Sequence, residues 1–291
     1  MLQIKNTLGG GGGNPEGSYV WKKYEYTSEG YDPYLTFSGN KEFQLSTYND
    51  SKNWDGTLEY SIDAFNWKIW DGTAIDSSWT NKLFLRGTGN TIITGKSGDS
   101  CCFYFLGDNT LRVRCEGNIE NLLDYATVSA GSHPTMGSDC FKNLFDFCEY
   151  LIKPPELPAT TLADACYASM FHGCNNLITA PKLPATTLAA YCYEYMFSGC
   201  SNLTTLPELP ATILTFLGYH GMFYECKKIK LSSTQTGEYQ TEYRIPISGT
   251  GTYDAADSDT LLDMFGNTGG TFTGTPTINT TYYLSTSNTV V

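Results

Sequence analysis

The chain has 291 residues, 41% apolar and only 16% charged, with a formal net charge of -12. A nucleic-acid partner requires a basic stripe that replaces counterions. The densest basic spots are only Lys22-Lys23 and Lys227-Lys228 with Lys230, so nucleic acid and anionic membranes are set aside. No run of about 18 apolar residues occurs, so no helical membrane insertion is expected.

Residues 1–17 read as a flexible leader: Gly9 to Gly13 and then Asn14-Pro15-Glu16-Gly17 offer nothing to pack. The stretch Leu2 to Leu8 is mildly amphipathic, and on a flexible tether it suits docking to a larger assembly. It has no apolar core of the kind a secretory signal carries, so export by the general route is not expected. The glycines are not a phosphate loop either, because no strand precedes them and no Gly-Lys-Ser/Thr comes after them.

Residues 18–118 alternate in the manner of strands. Leu58 to Ile62 and Trp67 to Trp70 flank the four-residue loop Asp63-Ala64-Phe65-Asn66, a hairpin signal. Lys82 to Arg86, Cys102 to Leu106 and Leu111 to Cys115 are three further strands, the last two bracketing Gly107-Asp108-Asn109-Thr110. Short strands at even spacing with turn signals predict an antiparallel β-sandwich. Residues 119–139 form a junction, in which Asn121 to Tyr125 is one helical turn that caps the repeats beginning at residue 140.

From residue 140 to 231 the chain repeats. Leu157-Pro158-Ala159-Thr160-Thr161-Leu162 returns at Leu183 and at Leu209, and Met170-Phe171-His172-Gly173-Cys174 returns at Met196 and Met222, each step being 26 residues. A fixed period of this size means stacked units that bury each other's apolar faces. Within one unit Leu162, Cys166, Met170 and Cys174 recur every four residues, close to helical spacing. Gly173 is positioned to stop that helix, and Leu177 to Leu183 to extend as a strand. The predicted unit is helix, turn, strand. Residues 232–291 read as a divergent last repeat, carrying Met264-Phe265-Gly266, with a C-terminal cap.

Seven of the ten cysteines obey the same period. Cys148, Cys174, Cys200 and Cys226 share one column; Cys140, Cys166 and Cys192 share another, continued by Gly218. Columns in a stack are interior, where Cys serves as a small hydrophobe. Bridges between repeats remain open on geometry, while zinc lacks any Cys-x-x-Cys spacing.

Sites of chemistry are sparse. His133, His172 and His220 share no column, which removes a histidine metal ladder. No Gly-x-Ser-x-Gly occurs. Asp254, Asp257, Asp259 and Asp263 fail the EF-hand pattern, because Leu261 and Leu262 stand at its fifth and sixth positions. No catalytic residue, cofactor or metal is therefore expected. The candidate binding surface is aromatic: Tyr167, Tyr193 and Tyr219 form a column, with Tyr191 and Tyr195 beside it. Such a row could stack on sugar rings or grip a protein; alternatively its rings cover the core and only the hydroxyls face outward.

The motif Leu-Pro-Ala-Thr-Thr-Leu-Ala with its partner Cys-Tyr-x-x-Met-Phe-x-Gly-Cys resembles the leucine-rich repeats of the BspA-like surface proteins of gut and oral bacteria. It is still more similar to the forms carried by phages of gut bacteria. The resemblance covers 140–231 and extends weakly to Met264-Phe265-Gly266-Asn267, where the Cys is missing. Leu58 to Trp70 and Gly117-Asn118-Ile119 are similar to the β domain that often precedes such repeats, and Val20-Trp21-Lys22-Lys23-Tyr24 after the glycines to the leader of phage structural proteins.

The fold so implied is α+β: an N-terminal antiparallel β-sandwich leading into a short leucine-rich-repeat-like solenoid of helix-turn-strand units. The role implied is non-catalytic: a virion fibre or decoration protein, docked to other virion proteins through its leader and binding a host surface protein or glycan. A bacterial cell-surface adhesin is the alternative. Fibres are commonly trimeric, so a homo-oligomer is the open expectation, although no heptad run demands it.

Overall fold

The computed structural model describes residues 33–48, 50–77, 81–94, 102–254 and 258–291. The leader, the Val20 to Tyr24 segment and Asp257 lie outside the described residues.

The first part is built from strands β1 (Leu35–Gly39), β2 (Gln44–Thr47), β3 (Thr57–Ser61), β4 (Lys68–Trp70), β5 (Ile75–Asp76), β6 (Lys82–Thr88), β7 (Phe103–Leu106) and β8 (Val113–Glu116). The hairpin read from the sequence is present, with Leu58 opposite Trp70 in the β3–β4 ladder. Alternation decides which side chains go inward: Phe103 and Phe105 are buried, Tyr104 and Leu106 exposed. Strands β7 and β8 do not pair with each other. β7 belongs to a three-stranded sheet of order β5-β2-β7, and β8 to a six-stranded sheet of order β4-β3-β6-β1-β8-β9. Phe37 of β1 meets Phe105 of β7 edge-on, with ring centroids 5.3 Å apart. The sixth strand, β9 (Leu151–Lys153), comes from the repeats and lies parallel to β8.

Helix α1 (Asn121–Ser129) comes next and breaks at Asp124, whose φ of -153° is extended. It approaches β6 so closely that a Cβ on Gly87 would sit 1.7 Å from the Leu122 carbonyl oxygen. Only glycine fits there.

The repeats hold no helix. From residue 139 onward the backbone runs in consecutive tight turns. Asp139, Asn143 and Phe147 take positive φ, as do Ala165, Ser169 and Gly173, and then Tyr191, Tyr195 and Gly199. Each such residue sits four positions from the last. Even-numbered amides donate within the turn, as in Leu144 N–H to Phe141 O at 3.2 Å and Cys148 N–H to Phe145 O at 3.1 Å. Odd-numbered amides donate to the next repeat, as in Phe145 N–H to Met170 O at 2.9 Å and Phe171 N–H to Met196 O at 2.9 Å. Both halves of the backbone are thereby satisfied.

The expected fold is corrected on this point. The α+β class, with a β-sandwich leading into a leucine-rich-repeat-like solenoid of helix-turn-strand units, is not what forms. The described residues make sheets of six, three, three, two and two strands with one α-helix. The reason is the repeat spacing. An α-helix advances about 100° per residue, so a stripe at every fourth position drifts about 40° per step. A strict period of four instead suits a four-residue turn, which returns the same side chain to the same wall each time. The predicted strand Leu177 to Leu183 is likewise absent; that stretch contains no strand, and Ile178 O simply accepts from Thr204 N–H at 2.9 Å.

Residues 26 apart do lie over one another. Phe145, Phe171, Phe197 and Phe223 stack with centroid spacings of 5.6, 5.5 and 5.7 Å, and Phe265 of the divergent last unit, 42 residues on, continues the column at 5.5 Å. Each such buried ring contributes roughly 1.5–3 kcal/mol. Cys174, Cys200 and Cys226 each point a thiol at a Phe carbonyl of the preceding repeat, Sγ to O being 3.0 Å in all three.

Both ends of the stack are closed. Below, Ile93, Phe103, Val113 and Ile119 donate their amides to carbonyls of the first unit, at Cys140, Leu144, Tyr150 and Glu156. Above, a short 3-10 turn at Ser258–Leu261 leads into the divergent last unit. Its Phe265 exchanges backbone bonds with Gly274 at 2.9 and 3.0 Å. Strands β10 (Thr205–Leu206), β11 (Ile213–Leu214), β12 (Leu231–Ser232), β13 (Tyr239–Arg244), β14 (Thr252–Tyr253), β15 (Thr281–Ser285) and β16 (Thr289–Val290) complete the chain. β13, β15 and β12 form one antiparallel sheet, while β16 runs back parallel to β10 and β14 parallel to β11.

Candidate functional site

The four-residue turn sorts each unit into two walls. In the first unit residues 140, 141, 144, 145 and 148 are buried, while 139, 142, 143, 146 and 147 reach the surface in part or fully. The outer wall is thus a lattice: rungs are set by the repeat, columns by the turn positions.

The predicted tyrosine column is on the wrong wall. Tyr167, Tyr193 and Tyr219 are each 1% exposed and stack on Phe141 and on one another at 5.7, 5.9 and 5.8 Å. They belong to the interior and offer no binding face. Burial pushes all three phenols above their ordinary range. The Tyr167 hydroxyl is buried without a hydrogen-bond partner among the described residues.

Tyr191 and Tyr195 do reach the outer wall, half-buried. Tyr191 sets its ring edge-on to Phe216 at 5.1 Å. Tyr195 joins a chain of three groups across two rungs. His220 Nδ1 donates to Glu194 Oε1 at 3.1 Å, which leaves Nε2, 3.2 Å away, to accept from the Tyr195 hydroxyl. The arrangement resembles a relay, but it does not activate the phenol. Burial, then the negative charges of Glu194 and Asp263 and the neighbouring Tyr224, raise the Tyr195 pKa. The group therefore ties rung to rung. His172 Nδ1 meets Asp146 at 2.7 Å and His133 Nδ1 meets Glu120 at 2.7 Å in the same manner. All three histidines are so engaged.

The thiols are interior. Eight of the nine described cysteines are buried, and those eight are free thiols. Burial pushes Cys148 and Cys166 up to about 12, so neither supplies a thiolate near neutral pH. Among the described residues no group of three or more His, Cys, Asp or Glu is placed to hold a metal ion. No helix among them is long and apolar enough to cross a membrane.

A second feature of the outer wall escapes a reading of the sequence. At three places an aromatic ring lies over a glycine of the next rung: Phe147 over Gly173, Tyr195 over Gly221 and Tyr224 over Gly266. An added Cβ would meet those rings at 2.6, 2.2 and 2.5 Å. Gly199 differs. A Cβ there would meet only the Gly173 backbone, at 3.5 Å. In the column Phe147, Gly173, Gly199, Glu225 the Phe147 ring covers Gly173, which leaves a notch floored by bare backbone at Gly199 alone. Phe147, 65% exposed, stands at one end and the exposed Glu225 at the other. Beside it Ser201 Oγ donates to Asn175 Oδ1 at 3.1 Å. The signal is present in the sequence: where later units carry Gly, Gly and Glu before the column cysteine, the first carries Phe147.

Neither a family model, nor a curated protein, nor a solved structure matches this chain.

Proposed function

We propose that this protein is a non-catalytic attachment protein, a fibre or decoration component of a phage virion that presents the outer wall of its stacked turns to a host surface or to mucus. The observation that supports this reading is the state of the sulfur. The eight buried cysteines are free thiols. Secreted chains rich in cysteine tend to oxidise them, whereas chains that mature in a reducing cytoplasm keep them. A virion protein assembled inside its host meets the second condition; a secreted adhesin meets the first. The outer wall also suits contact, since Phe147, Tyr191 and Tyr195 reach it in whole or in part while His172 and His220 are engaged in holding rungs together.

The test is direct. Intact particles from the source phage are imaged with a gold-labelled antibody to this chain. Labelling on virions is the expected result. Labelling on the bacterial envelope, with bare virions, would replace the reading by that of a bacterial surface adhesin.

A further inference from the structure

We propose that the notch between Phe147 and Glu225 is the ligand site, and that its ligand is a short neutral oligosaccharide. The inference deepens the attachment reading and rests on it. Four observations lead to it. The floor is Gly199: only the Gly173 backbone lies within 4 Å of where its Cβ would be, while Gly173 itself lies under the Phe147 ring. Such a floor admits the edge of a ring against the main chain. Phe147 is 65% exposed and held edge-on to His172 at 4.7 Å, so it is a fixed aromatic surface in water. The negative face of an aromatic ring attracts the C–H groups on the apolar side of a sugar. Polar groups flank that platform. The Asn175 amide hydrogens and the Ser201 lone pairs are not used in the bond joining these two residues, and the Glu225 carboxylate is an acceptor for paired hydroxyls.

Charge then selects among sugars. Glu149 and Asp146, the latter paired with His172 Nδ1 at 2.7 Å, lie beside Phe147 in the chain, Glu225 closes the column, and the Lys227 ammonium donates to the Asn267 carbonyl at 2.9 Å. A sialylated or sulfated glycan would bring like charge to these carboxylates. Size argues against a protein partner. The notch is open at Gly199 alone, between the Phe147 ring over Gly173 and Glu225, roughly 10 Å at strand spacing, and holds one exposed ring. A specific protein interface needs about 800 Å² on each side and several aromatic or Arg anchors.

The experiment uses the full chain and its variants Phe147→Ala and Glu225→Gln. Both side chains reach solvent, so each variant should still unfold cooperatively, and thermal unfolding certifies the fold. Each protein is applied to an array of neutral, sialylated and sulfated oligosaccharides, and in parallel to intact host cells. The expected result is binding confined to neutral glycans, weakened about tenfold by either substitution. Absence of any neutral-glycan binding, a preference for acidic glycans, or equal binding by wild type and both variants would overturn the proposal. If wild type and variants adhere equally to cells, the notch is not the site and the attachment reading stands. If neutral glycans bind through Phe147 yet virions carry no label and cells no protein, the site is real and the attachment reading fails.

Discussion

Replacing Tyr167 by Phe should make this protein more stable. The Tyr167 hydroxyl is buried and has no partner among the described residues, and a buried donor left unpaired costs about 1–3 kcal/mol. The ring itself is well placed, parallel within 7° to Phe141 on one side and within 5° to Tyr193 on the other. Phe141 shows that the column accepts a ring without the hydroxyl. Tyr167→Phe therefore keeps the stacking and removes only the orphan, for an expected gain of about 1–2 kcal/mol. A control has the opposite sign. The Tyr243 hydroxyl is buried too but donates to Pro207 O at 3.0 Å, so Tyr243→Phe should lose about 1 kcal/mol. Urea unfolding of the three proteins, tracked by tyrosine fluorescence and by circular dichroism, measures both changes. A loss of stability in Tyr167→Phe, comparable to that in Tyr243→Phe, would refute the assignment of the hydroxyl as unpaired.

Gly221→Ala should destabilise the stack by about 1–3 kcal/mol, since its Cβ would meet the Tyr195 ring at 2.2 Å and its φ is +56°; adding Tyr195→Ala should recover the steric share, leaving only backbone strain, as a double-mutant cycle by thermal unfolding would read. Gly87→Ala, with its Cβ 1.7 Å from the Leu122 carbonyl, should displace α1 and abolish cooperative unfolding; a wild-type melting curve would contradict the packing of α1 on β6. In native protein at pH 8 the eight buried cysteines should resist iodoacetamide for as long as the fold persists, and all should react in urea, as peptide mass spectrometry would show. Asp124 is held below the usual carboxylate range, first by the Thr127 amide and also by that of Gly89. A lowered folded pKa contributes stability above the unfolded value near 4, lost as pH falls through the folded value. The stability gap between wild type and Asp124→Asn should therefore be open at pH 7 and close below about pH 4, in urea titrations at several pH values.

The sequence discloses periodicity far better than conformation. Columns such as Phe145, Phe171, Phe197 and Phe223 come from spacing alone, because like residues must meet when equal lengths pile up. The backbone of each unit does not. A spacing of four looks like an imperfect helix, and nothing in Ala165, Tyr191 or Leu217 announces positive φ. Left-handed backbone costs such residues about 1–2 kcal/mol, and Ala165 and Tyr191 adopt it because their amides then reach the neighbouring repeat, at Ala190 O (2.8 Å) and Phe216 O (2.9 Å). That reward is nonlocal and no local propensity carries it. The same holds for β9, whose partner β8 is paired through Val113 and Leu151, and for β7 and β8, adjacent in sequence and parted into different sheets. The candidate surface fails for a related reason. Helical geometry would turn Tyr167, Tyr193 and Tyr219 outward, while the four-residue turn points that column inward. The Phe147 notch is visible in the sequence as a broken column, but a gap has meaning only once the wall it interrupts is known.

The closed ends of the stack have a genetic consequence. The first unit is sealed by amides from the β-sheet region and the last by Gly274; the unit after residue 191 also pairs through β10 and β11 with β16 and β14, whereas residues 166–191 bond along the stack to the units before and after them. A copy of that unit, duplicated in frame, leaves both lids intact and changes the molecule's reach by one step. Unequal crossing-over between the nearly identical Leu-Pro-Ala-Thr tracts generates such variants in a single event. The architecture is therefore one in which recombination can redraw the exposed wall while the folding problem at either end stays solved.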